Sequence, residues 1–75
     1  MSKQNVVVID KEILGGIPVF RGTRVPIQTL MDYLEKGYPL EEFLDDFPTV
    51  TLAQAQAVLE QMKQMFLEDA YARVA

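Results

Sequence analysis

Residues 39–64 read PLEEFLDDFPTVTLAQAQAVLEQMKQ, and the architecture of the chain turns on this stretch. Leu40, Phe43, Leu44 and Phe47 fall at i, i+3, i+4 and i+7, the spacing of one apolar helix face. Pro39 sits at the start of that helix and Glu41 and Glu42 occupy its first turn, where the backbone dipole favours anions. Pro48 stops it. Thr51 and Gln54 then have the spacing of a capping box, in which the hydroxyl accepts from the amide three residues on and the glutamine reaches back to the cap. From there to about Ala72 nothing breaks a helix. Leu52, Ala55, Leu59, Met62, Phe66 and Ala70 continue one apolar stripe, and Val58 and Met65 widen it. A short helix, a turn over Phe47-Pro48-Thr49-Val50 and a longer capped helix give the outline of a helix-turn-helix unit.

On the N-terminal side a further helix is predicted. Ile27, Leu30, Met31 and Leu34 repeat the same spacing, Pro26 can open the helix at its first position, and Gly37 can close it in the left-handed conformation. Before it the chain reads as extended. Val6-Val7-Val8-Ile9 is β-branched throughout and suits a short strand. Residues 10–14 fit a single helical turn ahead of Gly15-Gly16, a pair that redirects the chain. Ile17 to Phe20 and Arg24-Val25 flank Arg21-Gly22-Thr23 as the arms of a hairpin, with Pro18 confined to an edge because it lacks an N–H. The predicted fold is α+β, mostly α. Residues 1–26 form a β element, and residues 27–75 form a three-helix, helix-turn-helix-type bundle with a long C-terminal helix, all in one domain.

Composition narrows the function. The chain has 75 residues, no cysteine and no histidine. Disulfides, thiol redox chemistry, a Cys/His zinc site and Ser-His or Cys-His nucleophile pairs are excluded. No apolar run approaches the ~20 residues of a membrane span, and the opening residues lack the apolar core of a signal peptide, so a cytoplasmic setting is expected. A chain this short buries only roughly 60% of the surface that its unfolded form exposes, so a partner or a homodimer would help it. Charge is uneven. Residues 1–26 carry Lys3, Lys11, Arg21 and Arg24 against Asp10 and Glu12. Residues 27–75 carry Lys36, Lys63 and Arg73 against nine carboxylates. Polyanion contact therefore depends on the front third, and the rest suits a basic protein.

For DNA, the recognition helix would present Thr51 and Gln54 with Ala53, Gln56, Ala57, Glu60 and Gln61, and glutamine can read adenine in the major groove. That helix offers no cation before Lys63. Phosphate neutralisation would fall to Arg21 and Arg24, with Lys3 and Lys11, as against a role as ordinary surface cations. The carboxylate pairs Asp32/Glu35, Glu41/Asp45 and Glu42/Asp46 are helix neighbours that read as solvated faces, with no nucleophile or phosphate loop beside them. No catalytic residue, metal or cofactor is expected. The last helix carries the strongest signal: at 1.5 Å per residue it spans roughly 35 Å, about twice what two ten-residue helices can cover. Met62, Met65, Phe66, Leu67 and Tyr71 are thereby predicted to lack intrachain cover and to bind a partner protein.

The segment Ile13-Leu14-Gly15-Gly16-Ile17-Pro18-Val19-Phe20-Arg21-Gly22-Thr23-Arg24-Val25-Pro26 closely resembles the signature of the domain-of-unknown-function 433 family. Gly37, Pro39 with Glu41, Phe47-Pro48 and Thr51-Leu52 match its later landmarks, so the resemblance runs from about Ile9 to Met65. It implies a helix-turn-helix-type fold with a small β-hairpin. It also implies a VapB-like antitoxin of a type II toxin–antitoxin pair, whose partner is a PIN-like ribonuclease toxin. Thr23 and Arg24 are the polar members of the motif, and Gly16, Pro18, Gly22 and Pro26 shape its backbone. The chain departs at Ile17, where many relatives carry a charged residue, often lysine, which leaves the hairpin less basic. The expectation is a non-enzymatic antitoxin that neutralises its nuclease and binds operator DNA. The alternatives are a stand-alone homodimeric DNA-binding regulator and an interaction module that never touches nucleic acid.

Overall fold

The computed structural model describes residues 5–74, so Lys3 lies outside the described residues. The element order is β1 (Val7–Val8), a 3-10 turn over Leu14–Gly16, β2 (Val19–Phe20), α1 (Ile27–Glu35), α2 (Leu40–Asp46) and α3 (Leu52–Val74). β1 and β2 are antiparallel, with Val7 opposite Phe20 and Val8 opposite Val19. A two-strand element followed by three helices is the α+β, mostly helical fold that the sequence predicts.

The strand pairing differs in one respect. The main partner of β2 is β1, reached across a ten-residue loop, and not the arm after Gly22. That arm contributes an isolated bridge between Val19 and Pro26 and a hydrogen bond from the Phe20 N–H to the Val25 carbonyl, 3.0 Å. The reason is covalent: Pro18 and Pro26 have no N–H to give, and α1 begins at Ile27, so the second arm is too short for a ladder. The turn itself is as expected. Gly22 lies at φ +79°, and Thr23 holds the corner, its hydroxyl donating to the Phe20 carbonyl (2.9 Å) and accepting from the Val25 N–H (3.0 Å). The ten-residue loop is organised by Asp10, whose carboxylate accepts from the Glu12 N–H (2.9 Å) and whose carbonyl accepts from the Ile13 N–H (2.8 Å).

Pro26 and Pro39 sit one position earlier than a first helical residue. Both are extended (ψ 142° and 154°) and act as N-caps, with carbonyls that accept from the Thr29 and Glu42 N–H groups. α1 ends at Gly37, φ +88°. There the Gly37 N–H bonds the Leu34 carbonyl and the Tyr38 N–H bonds the Tyr33 carbonyl, both at 3.0 Å, which is the Schellman pattern. α3 opens with both arms of the capping box: the Gln54 N–H donates to the Thr51 hydroxyl (3.1 Å) and the Thr51 N–H donates to the Gln54 side-chain oxygen (3.0 Å).

The core lies where the β element, α1, α2 and the start of α3 meet. Val19, Phe20, Leu30, Phe43 and Ala55 are fully buried, with Val6, Val25, Val50 and Val58 beside them. Phe43 is its centre, packing on Phe20 (ring centroids 6.0 Å), Phe47 (5.2 Å) and edge-on to Tyr33 (5.5 Å). From α3 only Ala55 and Val58 are buried; Ala57, Leu59 and Met62 are half-buried against the cluster. Leu52, predicted to start the apolar stripe, is half exposed; the first residue of α3 to be buried is Ala55, three positions on.

Candidate functional site

Beyond Met62, α3 leaves the body. Met65, Phe66, Leu67, Tyr71 and Val74 are all exposed, Phe66 and Tyr71 to 72% and 75%. The reason is length: α1 and α2 have nine and seven residues and α3 has 23, so the shorter helices cover its first half only. These side chains do not form a single stripe. At roughly 100° per residue, Met65 and Phe66 continue the Val58–Met62 face, while Leu67, Tyr71 and Val74 project from the other side of the helix. The apolar character therefore wraps around, a pattern met in helices covered on more than one side. Of the surrounding charges, Lys63 pairs with Glu60 (3.2 Å) and Arg73 with Asp69 (2.9 Å) along the helix. Bonds from Gln64 and Lys63 hold the Glu60 carboxyl below its ordinary value.

The Val58–Met62 face also forms one wall of a groove of about 1070 Å³. Ile17 and Pro18 form its end, Ile27, Met31 and Leu34 of α1 the facing wall, and Asp32 and Glu35 are its charged lining residues. Sequence reasoning missed this groove. Met31 and Leu34 have core spacing, yet they are 47% and 37% exposed because α3 stands away from that side of α1. The available signal was the surplus: four large apolar residues on a nine-residue helix exceed what so small a core can absorb.

The residues predicted to meet nucleic acid cluster around the turn after β2. The Arg21 N–H donates to the Val6 carbonyl (2.8 Å) and its guanidinium Nε to the Asn5 carbonyl. The Gln54 side-chain N–H donates to the Arg21 carbonyl (2.9 Å) while its oxygen holds the Thr51 N–H. Thr51, Gln54 and Thr23 thus spend side-chain hydrogen bonds inside the fold, and Gln54 ties the first turn of α3 to the β element. Arg24 is exposed, and neither it nor Arg21 forms an ion pair among the described residues.

On the opposite flank Tyr33, Tyr38, Asp32, Glu42 and Asp46 surround a smaller cleft of about 390 Å³. Tyr33 donates to the Asp46 carboxylate at 2.6 Å. That hydrogen bond first, then partial burial and the negative charges of Asp46 and Glu42, push its hydroxyl up to about 12. No group of three or more potential metal-ligating side chains comes together among the described residues. No helix among them is long and apolar enough to cross a membrane.

Comparison with known proteins agrees with this geometry. A crystal structure of a DUF433 member protein from Anabaena variabilis superposes with a TM-score of 0.70 at 28% identity, over 96% of this chain and 71% of that one. The uncharacterized protein y4eO of Sinorhizobium fredii is 36% identical over 49 residues, 65% of this chain. The chain spans only 22% of that relative's length. Residues 7–60 match the family described as "Protein of unknown function (DUF433)". The match takes in the β element, the turn at Arg21–Arg24, α1, α2 and the capping box, and ends where α3 leaves the body. On this ground the chain belongs to the DUF433 family.

Proposed function

We propose that the chain is a non-enzymatic binding module, the antitoxin of a type II pair, whose partner is a PIN-like ribonuclease toxin. One observation carries this reading. Leu67, Tyr71 and Val74 stand exposed on the outer side of α3, with no core residue against them. Adaptable aliphatic and aromatic side chains on a rigid helix are what a protein partner buries, and the surplus of carboxylates on the helices suits a basic surface. A metal-dependent nuclease that handles RNA presents such a surface. Co-expression with a small nuclease from an adjacent reading frame should give a stable complex. In it, Leu67→Asp or Tyr71→Asp should break association while the circular dichroism of the free chain stays helical. Absence of a complex with any neighbouring nuclease, or a complex indifferent to both substitutions, overturns the reading.

A second reading, operator binding, is favoured by Arg21 and Arg24 on one exposed turn. With Gln54 and Thr51 engaged internally, base readout has little to draw on, and the contact would be to phosphate. Arg24→Ala should then weaken binding alike on all sequences and flatten its salt dependence. Affinity unchanged by that substitution removes the turn from the mechanism.

A further inference from the structure

We propose that the groove between α1, α3 and the β element is filled by a second copy of this chain, in a two-fold pair that sets Met65 and Phe66 of each copy into the groove of the other. This does not rest on the nuclease reading. It uses the face of α3 that carries Val58, Met62, Met65 and Phe66 and leaves the Leu67–Tyr71 side open.

Three features favour a second copy as the occupant. The groove and the protruding residues are continuous along α3: Met62 and Met65 line the groove, and Phe66, the next residue, is exposed beside it in the chain. When two such surfaces meet about a two-fold axis, each copy covers the other's groove and has its own covered by the same act, which is how an isologous interface closes. The area is adequate. Ile17, Met31, Leu34, Met65 and Phe66 are between 37% and 72% exposed. They offer on the order of 500 Å² per copy, so a pair reaches the roughly 1,000 Å² that a specific interface needs. The charges complement each other. The groove's ionised lining residues are both acids, Asp32 and Glu35. Arg73 lies seven residues beyond Phe66, hence on the same face of α3, and it holds Asp69 through Nε, which leaves its terminal N–H groups to reach a second carboxylate. Across the two-fold, Arg73 of one copy meets the Asp32–Glu35 rim of the other. Asp69 lies on this face as well, four residues beyond Met65, whereas the Lys63–Glu60 pair lies off it, so two acidic chains can approach here only with Arg73 set between its own Asp69 and the other copy's acids.

Sedimentation equilibrium of the whole chain tests the pairing. The expected mass is twice the 8.5 kDa of one chain. Phe66→Asp should weaken association by roughly 30-fold or more, as for a central aromatic anchor, and Met31→Asp should act from the other side of the contact. Both residues are exposed in the single chain, so circular dichroism should show the helices intact. Glu35→Arg alone should weaken the pair several-fold, and Glu35→Arg with Arg73→Glu should restore it, an outcome that general stickiness would not give. Three results overturn the proposal: a monomer at every concentration, whether or not its groove takes up an apolar dye; a dimer untouched by Phe66→Asp; or failure of the swapped charges to restore association.

Discussion

Gln54 and Tyr33 show how much a single polar side chain can be asked to do in a thin fold. Gln54 closes the capping box with its oxygen and holds the Arg21 carbonyl with its amide, so one residue joins the start of α3 to the turn after β2. A free amide would serve base readout; this one is committed to the fold. Tyr33 packs its ring on Phe43 and Phe47 and sends its hydroxyl to Asp46. Because its hydroxyl titrates at about 12 in the folded chain against an ordinary 10, the folded state holds that proton more tightly than the unfolded state does. The contact therefore adds stability that is complete below pH 10 and is lost as pH rises through about 12. Alkaline titration followed at 295 nm should show a late-ionising component that disappears in Tyr33→Phe. If the component lost in Tyr33→Phe is one that ionises at the ordinary value while the late phase persists, the Asp46 contact does not form.

At the level of elements, boundaries are set by backbone chemistry more than by packing. Pro26 and Pro39 open α1 and α2 from extended caps, and Pro48 follows the last turn of α2. Gly37 closes α1 in a conformation that costs an L-residue about 1 kcal/mol or more. A Cβ there would meet nothing within 4 Å, so that cost is purely conformational. Gly37→Ala should lower stability by about 1 kcal/mol, a fall in melting temperature of roughly 4–8 °C for a domain of this size. Urea unfolding should show a lower midpoint at unchanged slope. A variant as stable as the parent would mean that the helix end rearranges without using the left-handed residue.

The whole molecule measures 41 × 30 × 28 Å, and α3 supplies much of the long dimension. Its two halves have different roles. The half up to Met62 completes the core through Ala55 and Val58, and the half beyond adds no residue to that cluster. Truncation after Gln64 should accordingly leave a folded domain with nearly the same thermal midpoint, while association with a second copy or with a partner is lost. Collapse of the truncated chain would show that the distal half supports the fold rather than its contacts. Under the two proposals above, the groove and the exposed sides of α3 are the surfaces that another chain would cover.

The three helices, the Gly37 and Thr51–Gln54 caps, the turn at Gly22 and the overreach of the last helix were legible in the residues alone, because each follows from local chemistry: periodicity, a positive φ, a capping pair or a length; the prolines marked the helix starts to within one residue. Three matters were settled only in three dimensions. β2 takes β1 as its main partner and its immediate successor only through an isolated bridge, since pairing across a loop depends on which backbone groups remain free after folding. The apolar spacing of α1 divides between core and groove, because Met31 and Leu34 are buried only as far as α3 reaches them. Gln54 turns inward, since the carbonyl that it bonds lies 33 residues earlier in the chain. Local rules describe a residue and its neighbours, and they carry no record of what a distant segment brings alongside.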